Sequence, residues 1–192
     1  MNCYSVSINL FLIMRKLTYD EIKSLRLSET EALVTQRNPI SVLCDNIRSI
    51  FNVGAIFRTS DAILAEKIWL TGYTPYPPRK EIEKVALGAT RTVHWEYVKN
   101  PIEVIDKLKS FGVKIAVLEQ TNKRNTIWDV KTDDFPICLV LGNEISGVAE
   151  GIIRQADLSY EIPMFGFKQS LNVSVAFGIA AYSLLRKLKD DG

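Results

Sequence analysis

The chain of 192 residues, 47% apolar and 24% charged, is long enough for one domain with a sizeable core and has the composition of an ordinary globular protein. A net charge of only +2 excludes global attraction to a polyanion, so any nucleic-acid contact must come from local basic patches. Cys3, Cys44 and Cys138 form no C-x-x-C pair and His94 has no ligand-spaced neighbour. This argues against any metal site and for reduced thiols in a cytoplasmic protein.

The N-terminal stretch MNCYSVSINLFLIM is apolar, but no Lys or Arg precedes the run and no small-residue cleavage site follows it. It makes a poor signal peptide and is too short to span a bilayer. Met14, followed by Arg15-Lys16, could equally be the true start, so residues 1–13 are set aside. The expected division is an N-terminal extension over 1–38 and a catalytic domain over 39–192.

Residues 18–36 carry Ile22, Leu25, Ala32 and Leu33 among charges and predict one surface helix or two short ones. From residue 40 strands and helices alternate. ISVLCDNI (40–47) reads as a strand, NVGAIFRTSDAIL (52–64) as a helix and KIWLTG (67–72) as a second strand. A proline-rich loop then leads to a helix over 79–87, and RTVHWEYV (91–98) alternates like a strand. Asn100-Pro101 starts the next helix, which Gly112 stops. Strands follow at 113–120 and 136–143, then a helix over 147–155, a strand over 158–163 and a last helix over 170–188.

Such alternation with continuous apolar strands predicts an α/β fold: a mostly parallel six-stranded sheet with helices on both faces. Ligands of such sheets bind in loops beyond the strands' C-terminal ends. Here those loops are 48–52, 72–78, 119–125, 142–147 and 163–169. The chain contains no G-x-G-x-x-G, no P-loop and no G-x-S-x-G. Conventional dehydrogenases, P-loop NTPases and serine hydrolases are thereby set aside.

Three segments place polar residues where packing does not ask for them. In the first, Asn52 can cap the helix that follows, and Arg58 is either solvated or paired with Asp61. In the second, an apolar strand runs into the glycine-bracketed Gly142-Asn143-Glu144-Ile-Ser-Gly147, which suits a ligand loop or a tight turn. In the third, IPMFGFKQSLNVSVA (162–176), Ser170 can cap the last helix, with Asn172 and Ser174 just inside it.

Together the three segments resemble, in order and spacing, the motifs of the SPOUT-class RNA 2′-O-ribose methyltransferases, the TrmH-like family. The likeness covers about residues 40–188. It implies a C-terminal trefoil knot threaded by about 138–185, a homodimer and S-adenosylmethionine as cofactor. The cofactor contacts it implies are Leu118, Glu119, Gly142, Asn143, Ile162, Met164, Ser170 and Leu171. Carried over by motif, Arg58 and Asn52 are catalytic together with Glu144, Ser170 and Asn172. Arginine is a permanently charged, forked donor, suited to fixing an RNA phosphate and polarising a 2′-hydroxyl but not to accepting a proton. The expected acceptor is a phosphate oxygen or water.

Local RNA contacts are expected from Arg48, Arg58, Arg79, Lys80, Arg91, Lys123, Arg124 and Lys168, with Tyr73 and Tyr76 available to stack on bases. No separate N-terminal RNA-binding domain of the size some relatives carry is seen. The favoured target is tRNA, with a D-loop guanosine first. Ribosomal RNA, a base nitrogen as methyl acceptor, or a non-catalytic cofactor-binding assembly factor are the alternatives.

Overall fold

A computed structural model describes residues 14–190. The readings made for residues 1–13 and Cys3 lie outside that range. Six strands form one sheet: β1 (Asn38–Asp45), β2 (Ala65–Thr71), β3 (Trp95–Val98), β4 (Lys114–Leu118), β5 (Ile137–Leu141) and β6 (Leu158–Tyr160). Their spatial order is β3-β2-β1-β5-β4-β6 and every pairing is parallel.

The central strands β1 and β5 are largely apolar because helices cover both faces. Val42 and Cys44 of β1, with Ile137, Leu139 and Leu141 of β5, face a core that includes Phe57 of α3 (Ile50–Ala62) and Phe177 of α8 (Val173–Asp190). Leu43, Cys138 and Val140 face the opposite core, against Val104, Ile105 and Leu108 of α6 (Pro101–Ser110) and Ile152 of α7 (Glu150–Ile153). Burial pushes both described thiols far up, so Cys44 and Cys138 stay protonated and act as small apolar side chains.

The N-terminal segment forms α1 (Tyr19–Ser24) and α2 (Glu29–Val34), each opened by a capping box, from Thr18 and Ser28 respectively. Two differences from the sequence reading have local causes. The expected strand over 91–98 divides into α5 (Ala89–Thr92) and β3, because Leu87 and Gly88 turn left-handed after α4 (Lys80–Ala86) and start a new helical turn. β6 is only three residues long, since the chain leaves the sheet after Tyr160 to wall the site.

Candidate active site

Loops beyond β4, β5 and β6 and the first turn of α8 surround one cavity of about 700 Å³. Leu118, Leu141, Ile162, Val173 and Ala176 supply apolar wall, while residues 142–147 form a polar rim. The eight expected cofactor contacts, Leu118, Glu119, Gly142, Asn143, Ile162, Met164, Ser170 and Leu171, all line this cavity, and so do Glu144 and Asn172. Its size is that of ordinary small-molecule sites.

The rim loop is built by side chains turned inward on the backbone. Asn143 Oδ1 accepts from the amides of Ile145 (2.9 Å) and Ser146 (3.0 Å). Its Nδ2 donates to the Asn46 carbonyl (2.9 Å) and to the Tyr73 hydroxyl oxygen (2.7 Å). Glu119 accepts from the amides of Gln120 (2.9 Å) and Val148 (3.1 Å). The bracketing glycines are required by space. A Cβ on Gly142 would meet the Gly147 carbonyl carbon at 2.3 Å, and one on Gly147, whose φ is +70°, would meet Glu119 Oε2 at 2.3 Å.

Glu144 joins the loop to α3. Its Oε2 accepts from the Arg48 amide (2.8 Å), and its Oε1 accepts from the Ser49 amide (3.0 Å) and from Asn52 Nδ2 (2.9 Å). Burial alone would push this carboxyl up, but those amides and the Asn52 carboxamide outweigh it and hold it below the usual carboxylate range. Asn52 Oδ1 in turn accepts from Asn172 Nδ2 at 3.1 Å. Asn172 Oδ1 caps α8, accepting from the Ser174 amide (2.9 Å) and hydroxyl (2.7 Å). One hydrogen-bonded relay, Glu144–Asn52–Asn172, thus links the three motif segments.

Both innocent cap assignments shift. Ser49, not Asn52, caps α3, accepting from the Asn52 amide at 3.3 Å. Asn172, not Ser170, caps α8, and Ser170 is left exposed in the cavity wall. Asn52 is therefore buried in the first helical turn with its carboxamide free to bridge the other two motifs.

Arg58 is exposed on α3, makes no ion pair or hydrogen bond among the described residues, and does not line the cavity. The alternative pairing with Asp61 is absent; Thr92 donates to that carboxylate. Arg48 stands at the rim beside Glu144. Arg48, Arg79, Lys80, Lys123, Arg124 and Lys168 are exposed, and their side chains make no ion pair or hydrogen bond among the described residues. Arg91 differs: Glu29 accepts from it bidentately at 2.8 and 3.0 Å, which occupies its charge. No group of His, Cys, Asp and Glu among the described residues could hold a metal, and no described helix is long and apolar enough to cross a membrane.

Sequence reasoning missed Ser49, the Tyr73 hydroxyl and the Asn143 carboxamide as organisers of the site. Their only signal was the polar run that follows each strand.

The SpoU rRNA Methylase family model matches residues 39–182. The chain belongs to that family. It is 33% identical over 163 residues to the tRNA (guanosine(18)-2′-O)-methyltransferase of Aquifex aeolicus, a match covering 84% of this chain and 76% of that protein. It is also 33% identical to the enzyme of the same name from Borreliella burgdorferi, of which it spans 62%. Among solved structures, the A. aeolicus TrmH/SpoU tRNA modifying enzyme superposes with a TM-score of 0.76 at 31% identity, over 90% of this chain and 85% of that one. The AdoMet-bound rRNA methyltransferase of Sinorhizobium meliloti gives 0.74 at 27%, over 85% and 62%. SpoU-family membership agrees with the all-parallel sheet order and with two motif segments lining one cavity, to which Asn52 of the first is hydrogen-bonded.

Proposed function

We propose that this chain transfers a methyl group from S-adenosylmethionine to the 2′-hydroxyl of a ribose in RNA, with a guanosine of tRNA as the favoured target. The observation that carries the reading is the Glu144–Asn52–Asn172 relay at the edge of a cofactor-sized cavity. The residues present fit the donor: apolar walls would suit a nucleoside, glycines bring loop backbone close, and lining carboxylates would suit a cationic group. S-adenosylmethionine bound there supplies an electrophilic methyl group.

The chain's own part is positioning and charge stabilisation. Glu144 has both oxygens engaged, so it orients its neighbours rather than taking the proton. Asn52 and Asn172 fix the wall against which the ribose lies. Arg58 holds an RNA phosphate and polarises the hydroxyl, and the proton leaves to a phosphate oxygen or water.

Arg58 stands outside the cavity of its own chain, which favours the homodimer implied by the family. Val175, Ile179 and Tyr182, spaced along one exposed stripe of α8, support a second copy docking beside the cavity, so that Arg58 of one copy serves the other. We further take residues 39–192 as the catalytic domain, cytoplasmic in location, with about 138–185 threading the knot. The tether from Gln120 Nε2 to the Gln169 carbonyl, between the loops after β4 and β6, supports that path. A non-catalytic binding factor would have no use for an unpaired arginine on the helix that carries Asn52.

The test is methyl transfer from labelled S-adenosylmethionine to separate tRNA and ribosomal RNA pools lacking this modification, followed by nucleoside analysis. The expected product is 2′-O-methylguanosine from the tRNA pool. Label in a base would overturn the ribose assignment, and label only from ribosomal RNA would overturn the tRNA assignment.

A further inference from the structure

A second cavity, of about 440 Å³, adjoins the first, and Gln120, Glu161, Ile162 and Met164 line both. Its outer wall is the loop after β6, where Phe167 is 94% exposed with Lys168 Nζ 5.7 Å from its ring centre. Phe165, two residues earlier, is 90% exposed. Arg124, with a left-handed backbone (φ 50°), also lines this cavity. The Glu161 backbone is fixed by hydrogen bonds with Asn125 and Ile127, but its half-buried carboxylate has no partner among the described residues.

An exposed ring, two cations and an unpaired carboxylate call for a ligand with a flat face, a negative flank and paired donors. An unpaired nucleotide offers the first two. Guanine alone among the common bases presents two adjacent N–H donors on its Watson–Crick edge, which one carboxylate can accept together. We propose that this second cavity holds an unpaired guanine of the RNA. Phe167 stacks on the base, Glu161 accepts from its N1–H and N2–H, and Arg124 and Lys168 meet the flanking phosphates. The proposal rests on the RNA reading of the adjoining site and gives it a base specificity that the relay cannot supply.

The experiment is equilibrium binding of the full chain, by fluorescence anisotropy, to a uridine heptamer with one central guanosine, against the same heptamer with inosine, which lacks the N2 amino group. Wild-type protein should bind the guanosine oligomer about tenfold more tightly. Glu161→Gln, isosteric at a side chain with no contacts to lose, should make the two equal. Phe167→Ala should weaken both by about tenfold while S-adenosylmethionine affinity stays unchanged.

Equal binding of both oligomers by wild type, or discrimination retained in E161Q, overturns the proposal. So does a Phe167→Ala protein that keeps its RNA affinity but loses a dimer, since the ring then faces a second copy. Because binding is read without turnover, discrimination with no methylated product would uphold the base site and sink the methyltransferase reading. Methylation with equal binding would do the reverse.

Discussion

Asn52 Nδ2 donates to Glu144 Oε1 at 2.9 Å across 92 residues of chain, and the same carboxamide accepts from Asn172 at 3.1 Å. A buried amide in a first helical turn does two things at once: it satisfies an anion and positions a helix cap. Asn52→Ala removes both and should cost about 1–2 kcal/mol of stability. It should also lower single-turnover methyl transfer by at least tenfold. Chemical denaturation and quenched-flow transfer measure the two effects separately, and a normal transfer rate would count against the relay.

Glu144 gives the site a pH dependence whose sign follows from its hydrogen bonds. Its carboxyl is held below the ordinary value of 4.5, so its contribution to stability is present above that value. The contribution is lost as pH falls through the lower, folded-state value. Amide exchange at Arg48 and Ser49 should therefore stay protected at pH 5 and accelerate only below 4.5. Glu144→Gln should abolish that acid-induced step, and a step that survives in the variant would assign it elsewhere.

Gly147 combines a φ of +70° with a Cβ position 2.3 Å from Glu119 Oε2. Gly147→Ala should cost about 1–2 kcal/mol in local strain and displace the carboxylate that anchors Val148. Calorimetric titration should show S-adenosylmethionine binding weakened by tenfold or more, with the overall fold retained by circular dichroism. Unchanged affinity would mean the loop does not hold the cofactor.

Tyr73 reaches the rim loop from the β2 side through its hydroxyl, 2.7 Å from Asn143 Nδ2, while 61% of the residue is exposed. Tyr73→Phe should loosen the loop and weaken cofactor binding several-fold without changing RNA affinity. Tyr73→Ala should weaken RNA binding as well, because the ring is lost. Identical behaviour of the two variants would remove one of the two roles.

The strands were legible because parallel strands covered on both faces are apolar throughout, as in ICLVL of β5. The site loops were legible because polar residues follow those strands. Cap assignments were not, since Ser49 and Asn52, or Ser170 and Asn172, are equally good N-caps by residue type. Only the three-dimensional meeting of α3, the rim loop and α8 decides which member caps and which bridges. The fate of Arg91 was hidden for the same reason, because its partner Glu29 lies 62 residues away. Likewise 91–98 alternates like a strand, yet the left-handed pair Leu87-Gly88 commits its first residues to a helical turn.

The central claim is that a forked cation acts on a ribose hydroxyl beside this cavity. The direct measurement is single-turnover transfer from labelled S-adenosylmethionine into unmodified tRNA by wild type, Arg58→Ala and Arg58→Lys, with the product read as alkali-resistant 2′-O-methylnucleotide. Loss by about 10²–10³ in R58A, at least tenfold loss in R58K, and unchanged cofactor affinity in both is the predicted result. Near-normal transfer by R58K would contradict the forked-donor role, and near-normal transfer by R58A would remove Arg58 from the reaction.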